Sequence, residues 1–370
     1  MNGLHTQDDM GTPREVQVVV VGGGPAGLSA ARSAASLGAQ VVLLDRESRP
    51  GGQLIKQTHM FFGSRAQYAG TRGIDIARIL YDQVVSAEGV EVLLDATVLG
   101  RYPDSVVTVE HAGRYLKLKP ERLIVATGAS EKVLPFPNND LPGIYGAGAV
   151  QTLMNVHGVR PGDRVLMVGA GNIGLIVSYQ LLQAGVEVAG IIEAAPTIGG
   201  YLVHASKVRR SGVPILTSHT IKEAYGEPAL EGVVVWQLDE RWKPIPGTER
   251  DISVDVVCVA VGLNPLTEIL FQAGCDMRYV AELGGHVPVR GDDLQTTVPG
   301  IYVAGDCSGI EEASSAMVEG TLAGACAAAS LGLGGEQADV VRERALAELY
   351  ELRCGSAGQK TRDGLCRLAG

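Results

Sequence analysis

The sequence has few aromatic residues, no excess of basic residues and no Cys-x-x-Cys pair. Aromatic residues make up 5% of the 370 positions, which argues against a stacking surface for single-stranded nucleic acid. Acidic residues outnumber basic residues by 41 to 31, and the net charge of −10 argues against general nucleic-acid or anionic-membrane binding. The six cysteines, in a chain of this length, do not form the pattern of a disulfide framework.

The sequence also lacks the signals of export, membrane insertion and several enzyme classes. Its polar start carries Asp8 and Asp9 where a signal peptide has basic residues and then an apolar run. The apolar stretches are too short, or too rich in glycine and alanine, to span a bilayer. We therefore expect a cytoplasmic protein without membrane insertion. Because no Gly-x-Ser-x-Gly, His-Glu-x-x-His or Cys/His metal spacing occurs, we predict neither a hydrolase nor a metal site.

Glycine, by contrast, is abundant, and it marks an internal repeat. The 49 glycines are about 13% of the chain, against an average near 7%. Val18–Asp45 and Val165–Glu193 each read as a buried strand, a glycine-rich turn, a helix and a second apolar strand. Continuously apolar strands are typical of a parallel sheet covered on both faces. We expect an α/β fold with two Rossmann-like nucleotide-binding domains, each with three layers, two of strands and one of helices.

Each copy of the repeat contains the pattern Gly-x-Gly-x-x-Gly. Its glycines are Gly22, Gly24 and Gly27 in the first copy and Gly169, Gly171 and Gly174 in the second. They allow a tight turn, close approach of backbone amides to a diphosphate, and close packing of helix on strand. An acid follows roughly 20 residues on, Asp45 or Glu193, where it can accept hydrogen bonds from ribose hydroxyls. Two copies in the same register predict two dinucleotide sites.

Further strands that end in glycine turns lie outside the repeat. Leu123–Ala126 runs into Thr127-Gly128, and Val256–Val261 runs into Gly262. Pro299–Asp306 ends in Gly-Asp and precedes a helix of small residues, which we expect at about 314–330. Apolar and alternating segments over Val90–Leu118 predict a β-rich connection.

This order of motifs resembles the flavoproteins with two dinucleotide-binding domains, of which thioredoxin reductase is the compact member. The resemblance covers about Val16 to Leu331. It implies that the first fingerprint binds the ADP half of FAD, the second binds NAD(P)H, and the late Gly-Asp strand holds the ribityl chain. The FAD set it implies is Gly22, Gly24, Pro25, Ala26, Gly27, Asp45, Arg46, Gly52, Gln53, Val98, Thr127, Gly128, Gly305 and Asp306. The NAD set is Gly169, Gly171, Asn172, Ile173, Gly174, Glu193 and Gly262.

The resemblance also implies that the NAD domain is inserted into a discontinuous FAD domain. The expected parts are a flexible tail at 1–14, the FAD domain at 15–148 and 256–335, the NAD domain at 149–255, and a C-terminal helix and tail at 336–370. The helix Asp339–Leu352 has an apolar stripe that includes Val341, Ala345 and Leu349. That stripe either packs on its own domain or docks a partner.

The sequence departs from the disulfide reductases of this family. Gly51–His59 and Pro161–Asp255, where those enzymes carry a redox cysteine pair, contain no cysteine. Thiol–disulfide exchange needs an attacking and a resolving sulfur. We therefore expect that the protein is not a disulfide reductase.

Two segments look more like the alpha subunits of heteromeric sarcosine oxidase, hydrogen cyanide synthase and D-hydroxyproline dehydrogenase. They are Leu141–Asn155 and Val303–Gly324. This resemblance implies a partner subunit with an iron–sulfur cluster or a second flavin. Cys354 and Cys366 either contact such a partner or are free thiols.

The residues also bear on nucleotide choice and on the flavin's surroundings. The Glu193 carboxylate would repel a 2′-phosphate, and the residues directly after it offer no Arg or Lys, which favours NAD over NADP. Gln53, Lys56 and His59 are candidates for residues close to the flavin; Lys56 and His59 have ordinary structural roles as alternatives.

Together these observations predict hydride transfer between NAD(H) and FAD, with other redox subunits as partners. The alternatives are an amine or imino-acid dehydrogenase subunit whose partner oxidises the substrate, and a non-catalytic nucleotide-binding scaffold.

Overall fold

The computed structural model describes residues 12–61 and 63–369, and the chain divides into two compact units. Unit 1 comprises Met1–Ser130 and Asn264–Gly370, and unit 2 comprises Glu131–Leu263. Of the expected flexible tail at 1–14, residues 1–11 lie outside the described residues, and Arg14 already belongs to the first strand. Unit 2 is wider at both ends than the expected 149–255.

The first piece of unit 1 alternates strands and helices and then turns into an antiparallel meander. Its elements are β1 (Arg14–Val21), α1 (Pro25–Ser36), β2 (Val41–Leu44), α2 (Gly73–Val85), β3 (Val90–Leu93), β4 (Ala96–Arg101), β5 (Val107–His111), β6 (Arg114–Val125) and β7 (Ala129–Glu131). A 3₁₀ turn, Gly52–Lys56, lies between β2 and α2.

Unit 2 repeats this plan. Its elements are β8 (Ile144–Gly146), α3 (Ala147–Asn155), β9 (Arg164–Val168), α4 (Asn172–Gln183), β10 (Glu187–Glu193), α5 (Leu202–Arg210), β11 (Ile215–Thr217), β12 (His219–Tyr225), β13 (Gly232–Gln237), β14 (Arg250–Ser253) and β15 (Val256–Val259). The parallel sheet has the order β11-β10-β9-β15-β8. Because β8 pairs with β15 in this sheet, the insertion begins before residue 149.

The chain then completes unit 1. Its remaining elements are β16 (Leu263–Pro265), which begins at the boundary, then α6 (Glu268–Gln272), β17 (Met277–Val280), β18 (Gly285–Pro288), β19 (Ile301–Val303), α7 (Ala313–Ser330), α8 (Gly335–Leu352) and α9 (Gln359–Ala369). A 3₁₀ turn, Ala281–Leu283, joins β17 to β18. β19 pairs in parallel with β6.

Both parallel sheets are buried on two faces, which confirms the expected three layers. In β1, Val18 and Val20 face the core formed with α1 and α7, whereas Val19 and Val21 pack with meander residues that include Val107. In β9, alternate residues pack on the helices or on the β12–β14 sheet in the same way. The consecutive buried positions of these strands are therefore all apolar, since neither face reaches water there.

The helices of unit 1 pack closely because two glycines in α7 contact α1. A Cβ on Gly320 would lie 2.0 Å from the carbonyl oxygen of Ala26, and one on Gly324 would lie 2.3 Å from that of Ala30. In α8, Ala345 and Leu349 belong to the same core, so the apolar stripe packs on its own unit. No helix in the described part of the chain is long and apolar enough to cross a membrane.

Candidate dinucleotide sites

The three glycines of the first fingerprint are of two kinds. A Cβ on Gly22 would lie 2.3 Å from the carbonyl oxygen of Ala126, and one on Gly27 would lie 1.7 Å from that of Gly22. The packing of unit 1 itself therefore requires glycine at both positions. At Gly24 a Cβ would meet no atom closer than the Cα of Gly52, at 3.9 Å. The protein's own packing does not explain the middle glycine, so the space above it is free for a ligand.

Unit 2 has the same arrangement. A Cβ would lie 2.3 Å from the carbonyl oxygen of Ala260 at Gly169 and 2.1 Å from that of Gly169 at Gly174, whereas at Gly171 it would meet nothing within 4 Å. Gly24 and Gly171 each cap a helix, α1 or α4, whose first-turn amides have no acceptor within the helix. Free amides at the positive end of the helix dipole, next to open space, fit a diphosphate in each unit.

The two acids hold the turns that carry the fingerprints. Asp45 accepts hydrogen bonds from the backbone N–H of Gly23 (2.7 Å) and Glu47 (2.9 Å). Glu193 accepts equivalent bonds from Ala170 (2.7 Å) and Ala195 (2.9 Å). Burial raises the pKa of Asp45, and its two backbone hydrogen bonds oppose that shift. Each carboxylate oxygen retains acceptor capacity, and the binding of ribose hydroxyls by these two acids stays a prediction.

A Gly-Gly pair follows each acid and packs against its fingerprint. The N–H of Gly51 donates to the carbonyl of Gly23 (2.7 Å), which places Gly52 beside Gly24. In unit 2 the N–H of Gly200 donates to the carbonyl of Ala170 (3.0 Å). This second pair was not predicted as part of the repeat, although Gly51 and Gly199 stand at equal distances from their acids.

The candidates near the flavin follow the first Gly-Gly pair. Gln53 is exposed, and Lys56 ends the same 3₁₀ turn. The ring of His59 stacks on Phe61 with 5.8 Å between the ring centres. The roles of Gln53, Lys56 and His59 stay predictions.

Two distant segments of unit 1 meet at this site. The hydroxyl of Thr127 donates to the carbonyl of Leu266 (2.6 Å), and the N–H of Leu266 donates to the carbonyl of Gly128 (2.9 Å). Gly305 has φ +76°, and a Cβ there would lie 2.8 Å from the Cβ of Ala26. The Gly-Asp turn after β19 therefore lies against the first turn of α1.

Asp306 is the acidic residue of this turn. Burial raises its pKa to about 7, and the negative charges of Glu319 and Glu311 act in the same direction. A backbone hydrogen bond from Glu311 (3.4 Å) opposes the shift. The Asp306 carboxyl group consequently titrates near neutral pH.

The remaining predicted residues lie in the meander, after Asp45 and in unit 2. Arg46 is exposed and pairs with Glu47 at 3.3 Å. Val98 lies opposite Val109 in the meander. In unit 2, the side chain of Asn172 accepts a hydrogen bond from the N–H of Tyr201 (2.8 Å), Ile173 is 39% exposed, and Gly262 has φ +120°.

A buried group of charges close to Asp306 was not among the predicted site residues. Glu319, in the middle of α7, is 2% exposed and forms ion pairs with Arg290 and Arg353. It is the one charged residue in a helix of small and apolar residues, and this contrast was the available signal.

Four cysteines are buried and two, Cys354 and Cys366, are exposed. Burial raises the pKa of Cys307 and of Cys326 to about 11 each. Thiols with such pKa values are protonated at neutral pH and are poor nucleophiles.

Comparison with known proteins places this chain in a family of oxidoreductases. The model of the pyridine nucleotide-disulphide oxidoreductase family matches residues 16–320. The chain is 30% identical over 336 residues to an opine oxidase subunit of Agrobacterium tumefaciens, covering 85% of this chain and 66% of that protein. It is 29% identical over 329 residues to the HcnB subunit of hydrogen cyanide synthase from Pseudomonas aeruginosa, covering 82% and 69%. Against the sarcosine oxidase alpha subunit of Corynebacterium sp. it is 30% identical over 332 residues, covering 85% and only 32%. The chain thus spans about two thirds of the first two relatives and a third of the last.

Solved structures share the fold. L-proline dehydrogenase from P. horikoshii superposes with a TM-score of 0.71 at 23% identity, over 92% of this chain and 60% of that one. Thioredoxin reductase from T. acidophilum gives 0.70 at 22% identity, over 86% and 99%. The expected resemblance to two-domain flavoproteins is confirmed.

Proposed function

Since the chain belongs to the pyridine nucleotide-disulphide oxidoreductase family, we propose that it is an FAD-dependent oxidoreductase that exchanges electrons with NAD(H). The observation that carries this proposal is the open space over Gly24, which Gly52 borders and which α1 faces with free amides. A flavin supplies hydride and electron transfer when bound.

The residues of unit 1 have distinct tasks in this proposal. The backbone amides of Ala26 and Gly27 bind the diphosphate, and Asp45 accepts from ribose hydroxyls. The Gly305–Asp306 turn, beside the first turn of α1, supplies a carboxylate for the hydroxyls of the polyol chain. Acceptors for both sugars and donors for the diphosphate match a flavin dinucleotide.

Unit 2 fits a nicotinamide dinucleotide. Gly171 leaves room for the diphosphate, and Glu193 accepts from the ribose 2′-hydroxyl while repelling a 2′-phosphate. We therefore propose NADH in preference to NADPH.

The chain has no Cys-x-x-Cys pair, and Cys307 and Cys326 are buried and protonated at neutral pH. The proposal accordingly sends electrons to a small molecule or to another redox centre rather than to an internal disulfide. The relatives are named as subunits, which supports a partner subunit. We propose that this partner carries an iron–sulfur cluster or a second flavin and that the complex is cytoplasmic.

A second candidate is the subunit of an amine or imino-acid dehydrogenase whose partner subunit oxidises the substrate. The similarity to the opine oxidase subunit and to the sarcosine oxidase alpha subunit favours it. The two candidates differ in the source of the electrons. In the first, NADH alone reduces the flavin, and in the second, reduction requires the partner and its amine substrate.

The test is spectroscopic. The purified chain, supplied with FAD, is expected to bind about one flavin per chain, with absorbance at about 450 nm, and anaerobic NADH should bleach that band. Flavin binding without bleaching by NADH would favour the second candidate. Failure to bind flavin would leave the non-catalytic scaffold and refute the proposal.

A further inference from the structure

Four charged side chains are buried together in unit 1. The exposed fractions of the Arg290, Glu311, Glu319 and Arg353 side chains are 7%, 10%, 3% and 13%. Burying a charge is costly unless it is paired and hydrogen-bonded. The positive charges of the two arginines and the negative charges of the two glutamates balance one another here.

Glu319 connects this group to the Gly-Asp turn. One carboxylate oxygen, Oε2, accepts from the N–H of Gly305 (2.9 Å) and the hydroxyl of Ser308 (2.8 Å). The other, Oε1, accepts from Nη2 of Arg353 (2.6 Å) and Nη2 of Arg290 (3.1 Å). Burial disfavours ionisation of Glu319, but the two guanidinium groups hold its pKa below the ordinary value.

Arg353, at the end of α8, bridges the two carboxylates. Its Nη2 donates to Oε1 of Glu311 at 2.6 Å, and its Nε lies 3.1 and 3.2 Å from the two oxygens of Glu311. Glu311 follows the Gly305–Asp306 turn, and Glu319 holds the start of that turn. Arg353 therefore fixes the Glu311 end of the loop Gly305–Glu311 directly and its Gly305 end through Glu319.

The C-terminal segment also approaches this loop through Leu283. The N–H of Ile310 donates to the carbonyl of Leu283 (3.0 Å), and the side chain of Leu283 packs against Gly309 and against Gly364 of α9. Arg362 of α9 donates to the backbone carbonyl of Arg353. The C-terminal segment thus supports the loop in two ways: Arg353 binds Glu311 directly, and α9 packs on Leu283, which contacts Gly309 and Ile310.

We propose that Arg353 is a positioning residue for flavin binding, which holds the Gly305–Glu311 loop and its Asp306 against the first turn of α1. This inference rests on the proposed function, because it assigns that loop to the polyol of the flavin. Since coupling between two binding events is reciprocal, bound flavin stabilises the C-terminal segment to the same extent.

The first experiment compares Arg353→Gln with Arg344→Gln in the full chain. FAD is removed from each variant, and the Kd is then measured by titrating FAD back. Arg344 lies in the same helix, is 66% exposed and pairs with Glu348 at 3.7 Å, so it is a matched control. We expect Arg353→Gln to raise the Kd for FAD by about ten-fold or more, since it leaves Glu311 without its guanidinium, and the control to change it less than about two-fold. A folded Arg353→Gln variant with an unchanged Kd would overturn the inference.

If Arg353→Gln does not fold, the double variant Glu311→Gln/Arg353→Gln replaces it. That variant removes one buried carboxylate together with the guanidinium and leaves Glu319 paired with Arg290. We expect the same increase of about ten-fold in the Kd for FAD, which corresponds to the loss of one buried polar contact. An unchanged Kd again overturns the inference.

The second readout is the pH dependence of FAD binding, which a purely structural role would not shift. Asp306 faces the carboxylates of Glu311 and Glu319, and Arg353 and Arg290 offset their charges. Ionised Asp306 accepts more strongly from polyol hydroxyls, so the Kd should fall as the pH rises through about 7. Without Arg353, less positive charge opposes the two glutamates, and the midpoint should move to higher pH. A weaker Kd with an unchanged midpoint would refute positioning of Asp306.

Hydrogen exchange separates this inference from the proposed function. FAD should slow the exchange of the Arg353–Ala369 amides in the wild-type chain and do so less in Arg353→Gln. FAD binding with no change in that segment would refute this inference alone, whereas absence of FAD binding by the wild-type chain would refute the proposed function.

Discussion

The two parallel sheets have matching strand orders. The last strand in that order, β19 in unit 1 and β8 in unit 2, is followed by a different group in each. Unit 1 has the order β3-β2-β1-β6 with β19 beside β6, and unit 2 has β11-β10-β9-β15-β8. In unit 1, β19 delivers Gly305 and Asp306. In unit 2, β8 leads into α3, whose Gly148 N–H donates to the carboxylate of Glu131 (2.6 Å).

The difference lies in which group occupies the end of that last strand. In unit 2 a side chain of the protein occupies the place, since a Cβ on Gly146 would lie 2.2 Å from an oxygen of Glu131. In unit 1 an acid with a pKa near 7 stands beside the first turn of α1. The two units thus share the Gly-x-Gly-x-x-Gly fingerprint but place a different acidic group after the last strand of the sheet. This difference supports our assignment of FAD, the longer of the two cofactors, to unit 1.

The largest effect should come from the glycines that the packing itself requires. Gly27→Val and Gly174→Val would each place a Cβ within 2.1 Å of a carbonyl oxygen, so we expect losses of more than about 3 kcal/mol in the free energy of unfolding. Gly38→Ala is the control: its φ is +94° in open space, and the cost should be about 1–2 kcal/mol. Denaturant unfolding measures all three, and equal costs would contradict the packing argument.

The middle glycines should separate the two units by ligand. Gly24→Val is expected to fold and to lack flavin, because its side chain fills the proposed diphosphate space. Gly171→Val should keep its flavin and lose reduction by NADH. Flavin content and anaerobic reduction measure both effects. Normal flavin content in Gly24→Val would refute the assignment of FAD to unit 1. Loss of flavin in Gly171→Val would refute the assignment of different ligands to the two units.

The acid of unit 2 should show a smaller, nucleotide-dependent effect. Glu193→Ala is expected to weaken NADH by roughly 1–3 kcal/mol, as a ligand hydroxyl loses its acceptor. NADPH should be affected less, because repulsion of its phosphate is relieved at the same time. Asp45→Ala, the matched change in unit 1, should leave the preference between NADH and NADPH unchanged. Equal losses with both nucleotides in Glu193→Ala would refute the proposed specificity.

The buried thiols should matter least. Cys307→Ser and Cys326→Ser are expected to keep NADH-dependent dye reduction within about three-fold, since each changes a single atom and neither thiol ionises at neutral pH. Disulfide substrates should not turn over at an enzymatic rate, on the order of 1 per second. Turnover of a disulfide substrate at that rate would contradict our exclusion of disulfide chemistry. Loss of dye reduction in either cysteine variant would contradict it as well.

The local pattern of the sequence is sufficient to predict the fold, the three layers and the two fingerprints. Glycines at fixed spacing and continuously apolar strands express constraints that act within about 30 residues, so they are visible along the chain. Tertiary structure decided the boundaries of unit 2, because β8 joins its sheet only through pairing with the distant β15. It likewise decided the partners of Glu319, which are Arg290 and Arg353, and the contact of Gly305 with Ala26. Charge pairs and close backbone contacts of this kind depend on which distant segments the sheets and helices bring together, and a local pattern does not encode that.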